Sequence, residues 1–314
     1  MEKVHPLASA AGRGGVAARP FRFGVVAAAA RSGDEWLTKV RRIESLGYST
    51  LVIPDNLRFT LAPLPALAMA AAVTRALRVG TYVLANDLRH PVMLAKDVAT
   101  LDLLSNGRVE LGIGAGRPDS GDENHMLGLS FDSGAVRVAR LAESVAILKR
   151  LLAGRHPGSN GAHYRSADAE ISPLPTQQPH VPILIAGSGR QMLSLAGREA
   201  DIVALAIQPD ASEVVVAERI SWIREAAGAR FSEIELNINL MAVGDRVPRQ
   251  VEARMHLTAR DLAERGSVAA TTGTTDEICE QLIQRRERLG ISYLLVSDEL
   301  MESFAPVVER LTGR

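Results

Sequence analysis

Cysteine is nearly absent from this chain of 314 residues: there is one, Cys279, inside a helical pattern. A single thiol cannot close a disulfide within the chain, which fits a reducing cytoplasm. A lone cysteine within a helix is also a poor nucleophile. Charge of one sign is missing too. Lys+Arg and Asp+Glu number 36 each, so no basic excess points to nucleic acid or to an anionic membrane as a partner. No apolar run is long enough and charge-free enough to span a bilayer. The histidines show no zinc spacing of the HExxH kind, and there is no GxSxG elbow and no Walker A loop.

What is present is an ordinary globular composition, 46% hydrophobic and 23% charged. Residues 1–20 are of a different kind, rich in Ala and Gly with scattered basic residues. Gly12-Arg13-Gly14-Gly15 interrupts any continuous apolar stretch of a secretory signal. The expectation is a flexible tail over 1–20 and a single domain over 21–314.

Residues 77–117 set the rhythm of that domain. Residues 77–84 (LRVGTYVL) read as a buried parallel strand and 85–91 as a polar loop closed by proline. Helical spacing runs over 93–104 and stops at Asn106-Gly107. A second apolar strand, 109–113, opens into Gly114-Ala115-Gly116-Arg117. This βαβ unit repeats. Further strands are expected at 21–26, 50–53, 183–185, 201–206, 234–243 and 291–296, and helices at 35–46, 65–75, 136–152, 191–198, 212–227 and from 274 to 289. Ser32 or Asp34 is placed to cap the first helix, and Thr274-Thr275-Asp276-Glu277 fits a capping box. The stretch 154–181 breaks the pattern and reads as an insertion with a small hairpin near 162–164. Residues 245–272 are long enough to carry an extra helix.

Eight short apolar strands alternating with helices imply a parallel sheet, and eight closes into a (β/α)8 TIM barrel with an insertion between helix 4 and strand 5. An open doubly wound sheet is the alternative. It is disfavoured because the glycine-rich loops follow separate strands and no dinucleotide fingerprint follows the first.

Ligands of such a barrel sit at the carboxyl ends of the strands. That selects Asp55 and Asn56 after strand two, Asn86, Asp87 and Arg89 after strand three, Gly114–Arg117 after strand four, and Gly187-Ser188-Gly189-Arg190 after strand five. The last group suits a phosphate: glycines admit the backbone, the next helix offers its positive end, and Ser188 and Arg190 add a donor and a charge. It equally fits a tight turn. Asp55 and Asn56 can bond a ring edge or simply end a strand. Asp87 and Arg89 suit a surface ion pair, and His125 is isolated in a long loop, where most histidines are merely solvated. Tyr82 and Met93 read as packing residues. Phosphate-suited loops without a nucleophile point to an enzyme whose cofactor carries the reaction.

Segments 20–25 (PFRFGV), 46–56 (LGYSTLVIPDN), 77–116, 137–144 (RVARLAES) and 181–203 together resemble the bacterial-luciferase-like flavin and deazaflavin oxidoreductases. The wording RHP and SNGRVELGIGAG is most similar to the branch that uses coenzyme F420, with FMN as the competing cofactor. The resemblance implies a flat tricyclic ring across the strand ends. Its phosphate would lie at Gly187–Gly189, with Asp55, Asn56, Asn86, Ala115 and Gly116 around the ring. It also implies a non-proline cis peptide near Tyr82–Val83. Two positions depart from the sugar-phosphate dehydrogenase branch, which often has histidine where Asn56 stands and glutamate where Arg117 stands. The expected reaction is therefore reduction of an activated C=C or C=N bond in secondary metabolism, on a small molecule or a modified peptide. Asn56, Asp87, Arg117 and His125 are the catalytic candidates. An FMN-dependent monooxygenase is the alternative, and a homodimer is implied.

Overall fold

The computed structural model describes residues 19–158 and 160–314. The expected tail over 1–20 thus lies, apart from Arg19 and Pro20, outside the described residues.

The strands are β1 (Arg22–Val26), β2 (Thr50–Ile53), β3 (Arg78–Thr81), β4 (Leu84–Ala85), β5 (Val109–Gly114), β6 (Ile183–Gly187), β7 (Ile202–Leu205), β8 (Glu235–Leu240), β9 (Ala242–Val243), β10 (Ala270–Thr271) and β11 (Ile291–Ser297). The main sheet runs β3-β2-β1-β11-β8-β7-β6-β5-β4, and pairing of β3 with β5 closes it. All its pairings are parallel. β3 and β4 are one stave interrupted at Tyr82-Val83, so the barrel has eight staves, as the alternation of apolar segments implies.

Strand alternation divides the apolar residues into two cores. Phe23, Val25, Leu51, Ile53 and Val79 pack outward against the helices, while Val52, Leu184, Ala204, Tyr293 and Leu295 fill the barrel interior. The amino end of the barrel is closed by charge. Arg22 donates to Glu235 (2.8 Å) and Glu110 (2.7 Å), and Arg78 donates to Glu110 (2.6 Å). The Arg22 guanidinium also lies 3.6 Å from the Tyr293 ring centre. Burial alone would raise the Glu110 carboxyl, but the Arg22 and Arg78 guanidiniums outweigh it and hold it below its ordinary range.

Helices run over Gly33–Ser45, Pro63–Val73, Pro91–Leu104, Gly134–Leu152, Arg190–Glu199, Glu213–Ala227, Thr275–Leu289 and Met301–Leu311. Ser32, not Asp34, caps the first, accepting from the Glu35 N–H at 3.2 Å. The capping box of Thr274 and Glu277 is formed. Two helices begin earlier than helical spacing alone predicts, because Pro63 and Pro91 occupy their first turns, where a missing N–H costs nothing. The expected seventh strand, 234–243, is divided at Met241, and its end, β9, pairs with β10 instead. The long connection after it carries two short helices, Arg249–Met255 and Ala259–Glu264. The hairpin expected at 162–164 is a turn closed by the Gly161 N–H on the Tyr164 carbonyl (2.9 Å) and, further out, by the Gly158 N–H on the Ala167 carbonyl (3.2 Å). These two bonds do not extend into a regular strand among the described residues.

Candidate active site

The carboxyl end of the barrel is shaped first by the interruption of its third stave. The Tyr82-Val83 peptide is cis, where the resemblance placed it. The neighbouring strand makes room with glycine. A Cβ on Gly112 would stand 1.9 Å from the Thr81 carbonyl oxygen, and one on Gly114 would stand 3.0 Å from Val83 Cγ2. Thr81 Oγ1 donates to the Gly112 carbonyl (2.7 Å) and accepts from its N–H (2.9 Å). Tyr82 does more than pack: its hydroxyl donates to Asn237 Oδ1 at 3.0 Å, while Asn237 Nδ2 donates to the Tyr293 carbonyl at 3.1 Å. Burial pushes the Tyr82 phenol above its ordinary value.

Asp55, after β2, is held by Arg89 Nη2 (3.2 Å) and by the Ala85 N–H (3.2 Å). It therefore ties two rim loops together rather than standing free. Asn56 closes its own turn, its Oδ1 accepting from the N–H groups of Arg58 (2.9 Å) and Phe59 (3.0 Å). Asn86 is buried. Its Nδ2 donates to the Tyr164 hydroxyl at 3.0 Å, and its Oδ1 has no partner. Burial, with Asp87 nearby, raises the Tyr164 phenol. Asp87 pairs with Arg140 at 2.9 Å, so the expected Asp87–Arg89 pair does not form: each charge has a closer partner.

After β5, Arg137 Nη1 donates to the carbonyls of Ala115 (2.7 Å) and Gly116 (2.9 Å), fixing the backbone at both positions. Gly116 has φ +80°, a conformation that favours glycine. Arg117 lies beyond this bolt and pairs with Asp119 at the surface (3.2 Å). His125 corrects the sequence reading: it is exposed on a helix, Gly121–Met126, and not in an open loop. That helix turns the chain back onto the β2 loop, where Glu123 accepts from the Leu57 N–H and Arg58 reaches Met126 Sδ (2.9 Å).

After β6, Gly187 clears the Met192 side chain, which a Cβ would meet at 2.4 Å. Gly189 then starts the helix Arg190–Glu199, which has no side-chain cap, and Ser188 and Gly189 are exposed beside it. Its first N–H groups are thus available to an acceptor. Arg190 does not join them; it pairs with Glu225 on the next helix (2.9 Å). Because β5 lies between β4 and β6, Asn86, Ala115 and Ser188 follow the carboxyl ends of three adjacent staves.

The structure therefore gathers Asp55, Asn56, Tyr82, Val83, Asn86, Ala115, Gly116, Gly187, Ser188 and Gly189 on one rim. Of the four catalytic candidates, Asn56 alone stands there without an ionic partner; Asp87 is neutralised, and Arg117 and His125 are at the exposed surface. Sequence reasoning missed Tyr164, Asn237 and Asn239. The last two are inward positions of β8, and Asn239 Oδ1 is buried without a partner. Their signal was available: ELNINL carries polar residues at alternate places in an otherwise apolar strand. Among the described residues no cluster of three metal-ligating side chains occurs, and no helix is long and apolar enough to cross a membrane.

Comparison with known proteins identifies the family and the fold. The profile of the family described as luciferase-like monooxygenase matches residues 16–308. The F420-dependent glucose-6-phosphate dehydrogenase of Beutenbergia cavernae is 37% identical over 166 residues, 50% of this chain and 48% of that protein. The protein of the same name from Kribbella flavida is 26% identical over 309 residues, 92% of this chain and 89% of its own. The chain spans about half the length of several curated relatives it matches. Among solved structures, an F420-dependent secondary alcohol dehydrogenase in complex with an F420-acetone adduct superposes with a TM-score of 0.75 at 19% identity, covering 93% of this chain and 99% of that one. The tetrahydromethanopterin reductase of Methanopyrus kandleri gives 0.74 at 18%, covering 93% and 100%. Likeness at that identity speaks for the fold.

Proposed function

The chain belongs to the luciferase-like monooxygenase family, and on that premise we propose that it is an oxidoreductase using coenzyme F420. One observation carries the reading. An uncapped helix start beside Ser188 lies on the same rim as two buried amide oxygens, Asn86 Oδ1 and Asn239 Oδ1, that lack partners. An unpartnered buried acceptor is costly and normally answered by a ligand or water. An exposed helix start suits an anion. The donor set fits a phosphorylated ring system that carries N–H groups.

When bound, the deazaflavin supplies a carbon that gives or takes a hydride. The chain's own part is positioning. Ser188 and the N–H groups of the following helix hold the phosphate. The backbone at Ala115 and Gly116, fixed by Arg137, lies close to the ring, and Asn86 meets its edge. Asn56 orients the acceptor with its free amide group. The names of the relatives make sugar-phosphate oxidation a natural comparison, but Asn56 and Arg117 stand where that branch has acid–base groups. After β5, the helix Gly121–Met126 adds Asp122 and Glu123 beside the β2 loop, which oppose an anionic substrate. The adjoining surface exposes Leu57 (51%) and Phe59 (73%), which favours a neutral, apolar one. The reading is accordingly reduction of an activated C=C or C=N bond in a small molecule or modified peptide.

A homodimer is part of the proposal. The helix Pro63–Val73 is apolar on its outer side, with Met69 exposed, and Pro91–Leu104 exposes Met93, Leu103 and Leu104 beside Lys96 and Asp97. The FMN-dependent monooxygenase reading draws on the family's name. The two readings separate in one assay: oxidation of reduced F420 by enones and imines, run beside oxygen uptake with reduced FMN. Substrate-dependent oxygen uptake without deazaflavin oxidation overturns the proposal.

A further inference from the structure

The insertion after the helix Gly134–Leu152 reaches the barrel rim through Tyr164. Glu143, on the helix Gly134–Leu152, accepts from the N–H groups of His163 (2.9 Å) and Tyr164 (2.8 Å). The turn is tight enough that a Cβ on Gly161 would stand 1.9 Å from the same carboxylate. Tyr164 is thereby fixed in backbone, and the His90 ring packs edge-on against its ring at 5.6 Å. Its hydroxyl then takes the Nδ2 hydrogen of Asn86 at 3.0 Å. An amide has two faces, one donating and one accepting. With the donating side engaged, the accepting oxygen is left buried and unpartnered at the rim.

We propose that Tyr164, held by Glu143, is a positioning residue that sets the Asn86 amide so that its oxygen accepts a hydrogen bond from the ring N–H of the bound cofactor. The assignment rests on the functional reading above. Asn86 selects by chemistry: an oxidised flavin or deazaflavin ring has a single ring N–H, that of its imide. A ring methylated at that nitrogen offers Asn86 no hydrogen and leaves the oxygen unsatisfied.

The test is binding, not turnover. The full chain is titrated with FMN and its N3-methyl derivative, and with the corresponding pair of deazaflavin phosphates, following ring fluorescence and melting temperature. The native protein is expected to prefer the N–H ring roughly tenfold, the factor corresponding to one hydrogen bond. Tyr164→Phe is expected to lower that preference at least threefold with a fall in melting temperature of only a few degrees, since one hydroxyl is lost and the Asn86 Nδ2 group loses its acceptor. Asn86→Asp retains an accepting oxygen and is expected to keep the preference; Asn86→Leu is expected to abolish it. A Tyr164→Phe protein with the native preference overturns the inference. So does one that loses affinity for both rings in equal proportion, which marks a purely structural role. Binding of the FMN pair with no binding of the deazaflavin pair overturns the choice of F420 and leaves the positioning role to be read from the FMN ratio. No binding of any ring overturns both.

Discussion

Gly112→Ala links packing to the site most directly. The added methyl carbon would stand 1.9 Å from the Thr81 carbonyl oxygen, 2.9 Å from its carbon and 3.0 Å from Val83 Cγ1. The nearest obstacle is backbone, so no side-chain rotation relieves it. The two strands must part by more than an ångström, against the paired Thr81–Gly112 hydrogen bonds. Overpacking in cores costs about 1–3 kcal/mol, and a backbone obstacle places this change near ~3 kcal/mol. For a chain of this size that is a fall in melting temperature of about 5–8 °C. Displacing Thr81–Val83 also displaces Tyr82, whose hydroxyl reaches Asn237. Cofactor affinity is therefore expected to fall by tenfold or more even below the melting range. Gly114→Ala is the control. Its methyl group meets the Val83 side chain at 3.0 Å and lies in ordinary contact, 3.9 Å, with the Ala186 carbonyl oxygen, and should cost under about 1 kcal/mol. Scanning calorimetry and ring fluorescence on both variants decide the matter. A Gly112→Ala protein that melts like its parent and binds the ring normally refutes the packing account of the rim.

Three more outcomes follow from the same geometry. Ser188→Asp sets a negative charge at the helix start and should abolish binding of phosphorylated rings while sparing riboflavin, measured by equilibrium dialysis; Arg190→Ala, which loses only the Glu225 contact, should change affinity less than about twofold. Arg137→Met removes the bolt on Ala115 and Gly116, and amide hydrogen exchange over residues 115–117, read by mass spectrometry, should then speed up. Glu110 has its carboxyl held low in the fold, so its contribution to stability is present above the unfolded value and is lost as pH falls through the folded one. Glu110→Gln should therefore destabilise the protein at neutral pH by about 3–5 kcal/mol and flatten the dependence of melting temperature on pH in the acid range below about 4.5.

The barrel was readable from the sequence because periodicity reports burial directly. Residues 51–53 are an unbroken apolar run after Thr50 and form β2 as expected, and Ser32, Gly47 and Thr274 mark helix ends through local chemistry that needs no tertiary partner. The rim was readable only as positions. That Asn56 and Ser188 follow strand ends is a matter of order along the chain. That Asp87 is neutralised by Arg140, or that Arg190 turns to Glu225, depends on residues 53 and 35 places away, which no local pattern contains. Tyr164 was hidden for the same reason. Its segment has no period, and its significance comes from Glu143 and Asn86, both distant in sequence. The division of the seventh strand at Met241 likewise reflects the partner β10, far along the chain.

Equilibrium titration of the purified chain with F420 and, separately, with FMN tests the central claim most directly. The account predicts saturable one-to-one binding of F420, tighter than that of FMN and lost in Ser188→Asp. Tight FMN binding with none for the deazaflavin, or F420 binding that Ser188→Asp leaves intact, contradicts it.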